Sequence, residues 1–194
     1  MKMTDTSKLS LAKYLDYSAG GVLAQAIWIT VFAAATALGA QVEISHHPVP
    51  YTLQTFAVLL AGAFLGARNG AMSQLLYIAA GCLGAPVFAG GAFGIAKLLG
   101  PTGGYLAGFP VAAAVVGYLV QQRRNLLWHF LSMGLGLLIV FSFGTAHLYA
   151  FHMPDFSSAF SSGFLLFTWW DMLKLSAAAM IYHELSKRWP KVPK

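Results

Sequence analysis

Asp171 and Lys174 are the two residues of this chain whose types and spacing most invite chemistry. They stand in the run Phe167-Thr168-Trp169-Trp170-Asp171-Met172-Leu173-Lys174, within an otherwise apolar stretch. A separation of three residues brings both side chains to one face of a helix. Measured from Gly163, Asp171 falls ~12 Å along a helix rising 1.5 Å per residue, with Lys174 one turn further. An ionised group at that depth in a membrane is costly unless it meets water, a partner or the bundle interior. Three roles are open to the pair: an ion pair that only fixes one helix against its neighbours, a proton or ion relay, or a polar anchor at the bottom of an externally open cavity. The anchor accounts best for one acceptor and one donor whose charges cancel. Together they match a neutral ligand head presenting both N–H and C=O, such as a cyclic urea or amide.

Other polar residues interrupt the apolar stretches at Gln25, Gln54, Gln74, His129 and His147. Gln54 follows Tyr51-Thr52-Leu53 at the outer mouth of a predicted helix and is a candidate ligand contact. Tyr77, Phe88, Phe93, Tyr105, Trp169 and Trp170 are candidates to wall an apolar cavity, although Trp and Tyr also populate membrane interfaces. Gln25 and His129 fall near the opposite ends of their helices, where they suit a partner contact or the aqueous boundary.

The elements that must position these residues follow from composition. The chain has 194 residues, 58% hydrophobic and 9% charged, with a mean hydropathy of +0.66. A soluble domain carries roughly 25% charged residues, so this chain cannot cover a water-facing surface and lipid must solvate it. A spanning helix needs ~20 apolar residues. The apolar blocks predict an all-α membrane protein of six transmembrane helices in one domain, 1–194, with helices at about 21–40, 53–66, 70–84, 103–120, 126–150 and 163–186. Ala67-Arg68-Asn69 is read as the turn between the second and third, and Pro110 as an interruption of the fourth. Residues 1–20 are read as a cytoplasmic segment. That segment carries Asp5 and Asp16, and the apolar stretch after it is longer than a signal peptide's h-region, so it reads as a retained first helix.

The cations agree with this layout. Lys2, Lys8, Lys13, Arg68, Arg123, Arg124, Lys187, Arg188, Lys191 and Lys194 fall on one side, Lys97 alone on the other, and Lys174 inside a helix. Cytoplasmic loops collect Lys and Arg, which puts both termini in the cytoplasm and requires an even number of spans. It also explains the net charge of +6 without invoking nucleic acid. The outer segments 41–51, 85–102 and 151–162 are the long ones, and the glycines of 85–102 suit backbone that packs over a ligand or moves as a lid. Small residues four apart, Ala33/Ala37, Gly62/Gly66 and Gly104/Gly108, let helices approach closely.

Several chemistries lack their residues. No G-x-x-x-x-G-K run followed by Ser or Thr is present to cradle a nucleotide phosphate, and no paired Cys/His spacing suggests a metal site. His46-His47 is a lone pair on a loop, and Cys82 is the single cysteine, which reads as a small packing residue. No nucleophile elbow or Ser/His/Asp set supports hydrolysis. The chain therefore reads as neither an enzyme nor a cofactor protein. If it moves a solute uphill, another chain or an ion gradient must supply the energy.

From Pro48 onward, the stretch PVPYTLQTFAVLLAGAFLGARNGAMSQLLYIAAGCLGAPVFAGG, followed by LLGPTGGYLAGF, resembles the BioY family, the biotin-specific S components of energy-coupling factor (ECF) transporters. The resemblance covers about residues 20–186. Asp171-Met172-Leu173-Lys174 is similar to that family's G-D-x-x-K element, whose Asp and Lys hold biotin, with Trp170 here in place of the usual small residue. The resemblance implies a six-helix S component in the plasma membrane that captures biotin from outside. It implies partners as well, a transmembrane T component and two ATPase subunits that drive release into the cytoplasm. An A-x-x-x-A face on helix one contacts the T component in the family, and Ala33 and Ala37 match its spacing. On this reading the ureido ring sits on Asp171 and Lys174, apolar and aromatic side chains pack on the thiophane ring, and the valerate tail rises toward the outer loops. The alternative is a small ion-coupled secondary transporter of another vitamin-like solute. Internal repeats would mark it, and no convincing repeat is visible.

Overall fold

In a computed structural model, the structure describes residues 21–44, 48–165 and 168–188. The 1–20 segment with its lysines, His46-His47, Phe167, and Lys191 and Lys194 lie outside these residues. The elements in chain order are α1 (Gly21–Gln41), β1 (Glu43–Ile44), β2 (Tyr51–Thr52), α2 (Gln54–Cys82), a 3₁₀ turn (Ala89–Gly91), α3 (Ala96–Leu99), α4 (Gly103–Leu119), α5 (Leu126–Phe151), α6 (Phe156–Gly163) and α7 (Thr168–Arg188).

The helical stretch α2 is in fact a hairpin. Gly66 leaves helical geometry at φ 77°, ψ 179°, a left-handed φ that only glycine adopts freely. Were α2 straight, Gln54 and Tyr77 would stand ~34 Å apart at 1.5 Å per residue. Instead the Gln54 side-chain amide donates to the Tyr77 hydroxyl at 2.7 Å, and Gly70 backs directly onto Gly62. The reversal therefore falls at Gly66 itself, and Arg68 and Asn69 already belong to the returning arm. No separate turn of Ala67-Arg68-Asn69 is needed, because glycine's freedom at one residue suffices. Counting the two arms, α1, α2, α4, α5 and α7 form six membrane helices. By length and apolarity alone, α1, α2 and α5 qualify as spans among the described residues, and α4 is shorter. In α7, Asp171, Lys174, Glu184 and Lys187 dilute the signal.

α4 is the central helix, packed between the α2 hairpin and α5. Gly62 meets the backbone of Ala113, and Gly117 meets the backbone of Gly66 and Ala67. On the other flank Gly104 touches Phe143, Gly144 and His147, while Gly108 touches Val140. Without a hydrophobic force to press helices together in lipid, such backbone-to-backbone contact supplies the dispersion energy. Pro110 does not break α4, which runs as one helix through it. The small residues of α1 serve the interior too. Ala33 is 7% exposed in the core, and Ala37 packs against that core. Thr36, between them, donates to the buried Gln74 of α2 at 3.2 Å.

The outer side is more ordered than its loop-like composition suggests. β1 and β2 pair antiparallel, Glu43 with Thr52 and Ile44 with Tyr51, and the Leu53 amide donates to Gly39 and Val42 carbonyls of the α1 end. The serine-rich stretch expected to be a loop folds into α6. Asp155 caps it by accepting from the Ser158 amide at 2.8 Å, which satisfies one of the orphan donors of a helix N-terminus.

The packing predicts opposite outcomes at two glycines. A Cβ at position 117 would overlap the Gly66–Ala67 backbone, whereas one at position 134 finds its nearest neighbour, a Leu175 methyl carbon, at 3.9 Å. Gly117→Ala is expected to lower stability by ~1–3 kcal/mol through overpacking, and Gly134→Ala to leave it unchanged or higher because alanine favours helix. Thermal unfolding of the purified protein in detergent checks both.

Candidate ligand-binding site

The site begins in the first turn of α7. Asp171 lies there, closer to the helix start than the ~12 Å expected from a helix beginning at Gly163, because α6 ends at that glycine and α7 is a separate helix. A carboxylate in a first turn is favoured by the positive end of the helix dipole. Asp171 is 1% exposed, and its Oδ1 lies 2.7 Å from Lys174 Nζ. The lysine ammonium also donates to the Thr52 carbonyl at 2.8 Å and to the Thr55 hydroxyl at 3.2 Å. That hydroxyl in turn donates to Asp171 Oδ1 at 2.8 Å. All three ammonium protons are thus engaged. Taking two charges out of water is repaid only when their remaining hydrogen-bonding capacity is met, and Thr52 and Thr55 at the start of α2 meet most of it.

One atom is left over. Asp171 Oδ2 is buried without a hydrogen-bond partner, and Asp171 lines a cavity whose empty space, with the open solvent at its mouth included, is about 520 Å³. Its apolar walls come from Val49, Phe88, Tyr105, Leu106, Phe109, Val140 and Phe141, and its polar groups from Thr52, Gln54, Thr55, Lys97, Thr102, Asp171 and Lys174. The Thr102 hydroxyl is a second buried polar atom without a partner. Pro50, Ala89 and Lys97 reach the cavity from the outer loops, so its roof is the outer face of the bundle.

Among the residues singled out from sequence, Asp171, Lys174, Gln54, Phe88 and Tyr105 meet in this cavity. Gln54 is oriented by accepting from the Thr52 hydroxyl at 2.9 Å and donating to Tyr77. Tyr77 stands one layer behind, fully buried. It donates to the Val87 carbonyl at 3.3 Å and packs edge-on against Phe88 at 5.6 Å. The Tyr105 hydroxyl donates to the Gly163 carbonyl at 2.7 Å and ties α4 to α6. Phe93 and Trp170 are outside the cavity, 61% and 50% exposed. The buried stripe of α7 runs through Asp171, Leu175, Ala178, Ala179 and Tyr182, and Trp170 is rotated ~100° away from Asp171 by helix geometry. His147 and His129 do not line the cavity either. His129 packs on Tyr182 and His183, and Gln25 accepts from Asn69 at 3.3 Å.

Sequence reasoning passed over Thr52, Thr55, Lys97, Thr102, Phe109 and Phe141. Two signals were available: the hydroxyls flanking Gln54 in Tyr51-Thr52-Leu53-Gln54-Thr55, and the lone outer-side cation at Lys97. Thr55→Val keeps the side-chain shape but removes the hydroxyl that bridges both charges. It is expected to destabilise the protein by ~1–3 kcal/mol, as for a buried polar group left short of a partner. Thr55→Ser should retain most of the stability, and melting temperatures in detergent decide between them.

Known proteins place this chain in a family. The sequence profile of the BioY family matches residues 6–191. The chain is 39% identical to a protein of Thermotoga maritima described as biotin transporter BioY, over 84% of this chain and 96% of that protein. It is 41% identical to a probable biotin transporter BioY of Pyrococcus horikoshii, over 81% and 93% of the two chains. A crystal structure of the S-component for biotin from an ECF-type ABC transporter superposes with a TM-score of 0.77, at 23% identity, covering 96% of this chain and 95% of that one. That superposition shows the ECF S-component fold. With the family's profile spanning nearly its whole length, this chain is a member of the BioY family.

Proposed function

We propose that this chain is a biotin-capturing S component of an ECF-type transporter in the plasma membrane, taking biotin into the outward-facing cavity between α2, α4, α5 and α7. The observation that carries the reading is Asp171 Oδ2, a buried carboxylate oxygen without a donor, on a residue that lines a cavity with apolar walls. A ureido N–H supplies that donor. Because Lys174 already uses its three protons, the ureido carbonyl gains access to it by replacing the Thr52 carbonyl or the Thr55 hydroxyl, an exchange of one acceptor for another. Phe109, Phe141, Leu106 and Val140 offer apolar surface to the thiophane ring. The carboxylate of the valerate chain then has Lys97 and the Thr102 hydroxyl within the same cavity. The opposite orientation, with the carboxylate at Lys174, would set two anions side by side at Asp171 and is disfavoured on that ground.

The chain has no phosphate-cradling motif, so energy for release into the cytoplasm must come from elsewhere. A T component and two ATPase subunits are the proposed source. Ala33 and Ala37 face the interior in this conformation, so a partner contact on α1 would fall on the flank carrying Val31, Ala34 and Leu38, which is open.

Isothermal titration tests the assignment. Asp171→Asn and Lys174→Ala are each expected to weaken biotin binding by ~10²-fold or more, since truncating one member of a desolvated charge pair costs ~2–5 kcal/mol. Wild-type affinity in both variants would refute the site. Lys97→Met is expected to weaken biotin by about tenfold or more while leaving its methyl ester nearly unaffected, because only the acid offers Lys97 a charged hydrogen-bond acceptor.

A further inference from the structure

Two histidines at the outer end of α5 hold the short helix that carries Lys97. His147 Nε2 lies 3.1 Å from the Gly100 carbonyl, and His152 Nε2 lies 3.1 Å from the Leu99 carbonyl. A carbonyl oxygen only accepts, so both rings carry their proton on Nε2 and donate. The rings pack against each other at 5.3 Å, and His147 also packs on Phe151 at 5.0 Å. The two carbonyls are the last of α3 and the residue that follows it, where a helix leaves acceptors free for outside donors; the Gly100 carbonyl also accepts from the Gly103 amide at 2.9 Å. Lys97 is three residues before Gly100, inside the same turn.

On its other side α3 is entered through a glycine-rich segment. The chain reaches it through Gly90, Gly91 and Gly94, all at positive φ, and is tied on the way where the Gly91 amide donates to Gln41 Oε1 at 3.1 Å and the Gly94 amide to the Gly81 carbonyl at 2.8 Å. A charged group selects a ligand atom only if its backbone is held to within about half an ångström, which the surrounding shell must ensure. Here the Gly94–Gly81 bond holds the entry to α3, Leu98 packs on the core, and the imidazole pair holds the far end, with α5 as the rigid element behind it.

We propose that His147 and His152 are positioning residues that fix Lys97 over the cavity and thereby set the preference for a ligand ending in a carboxylate. The proposal rests on the reading of Lys97 as the carboxylate's partner. Neither histidine lines the cavity, so their effect on the ligand passes through α3.

The measurement is the ratio of the dissociation constants for biotin methyl ester and biotin, taken by titration on the full chain. In wild type the ratio should be about tenfold or more, the scale of a hydrogen bond between charged groups. Paired substitution His147→Phe with His152→Phe keeps ring packing but removes both donors. It should bring the ratio down to that of Lys97→Met while ester affinity stays within about twofold of wild type, well inside the scatter of one lost neutral hydrogen bond. The pair His147→Gln with His152→Gln, which keeps an N–H donor at each place, should restore much of the ratio. In a Lys97→Met background the Phe substitutions should change nothing further, as expected for residues acting through one group. An unchanged ratio in the Phe pair overturns the proposal, and so does an equal loss for both ligands, which marks a purely structural role. A wild type that binds biotin but does not distinguish it from its ester removes the Lys97 reading beneath it. Absence of biotin binding in wild type removes the functional reading itself.

Discussion

An acidic and a basic side chain share a space from which water is largely excluded, and neither can be left alone there. The attraction between Asp171 and Lys174 grows as the local dielectric falls, but so does the cost of bringing them in. The fold resolves this by bringing the start of α2 against the start of α7, so that Thr52 and Thr55 absorb what the ion pair leaves unsatisfied. Three features follow from that constraint. The β1–β2 ladder holds Thr52 in place, the Gly66 reversal returns the chain so that Tyr77 can orient Gln54, and α6 ends early enough for Asp171 to enter α7 in its first turn.

The satisfaction is deliberately incomplete in chemical terms. Lys174 is saturated, while Asp171 Oδ2 and the Thr102 hydroxyl are not. Unpaired buried polar atoms are rare in folded proteins and are commonly found where something else binds. The residues that carry them, Asp171 and Thr102, line one cavity with Lys97 and apolar walls, which suits a small molecule having a polar head, an apolar middle and an anionic tail. Affinity in such a site comes from the exchange of an unmet donor or acceptor for a met one, together with apolar area removed from water.

Close helix packing gives this arrangement its rigidity. Where Gly62, Gly104, Gly108 and Gly117 let backbones touch, α4 becomes a spacer of fixed thickness between the α2 hairpin and α5. The cavity walls from α4 and α5, Phe109 and Phe141 among them, inherit that spacing. The outer segment 85–102 is by contrast pinned at separate points, by Gln41 near Phe88, by Gly81 at Gly94 and by two histidines near Gly100. A rigid floor beneath a tethered roof suits a protein that must admit its ligand and then hold it.

Much of this was legible in one dimension. Low charge, long apolar blocks and the sidedness of Lys and Arg determined a six-helix membrane protein, since the transfer energies of charged and apolar groups depend on composition alone. Asp171 and Lys174 stood out because ions inside apolar helices are costly wherever they occur. Which way a helix faces was another matter. In lipid, the outward face is as apolar as the inward one, so no amphipathic stripe marks the core. That is why Ala33 and Ala37 turned out to pack toward the interior, Trp170 to lie outside the cavity and Thr55 to join Asp171, while the path of the outer segment put Phe93 outside the cavity and Lys97 at it. Distances between residues far apart in sequence were set by the close packing of backbones, and only the tertiary structure could decide them.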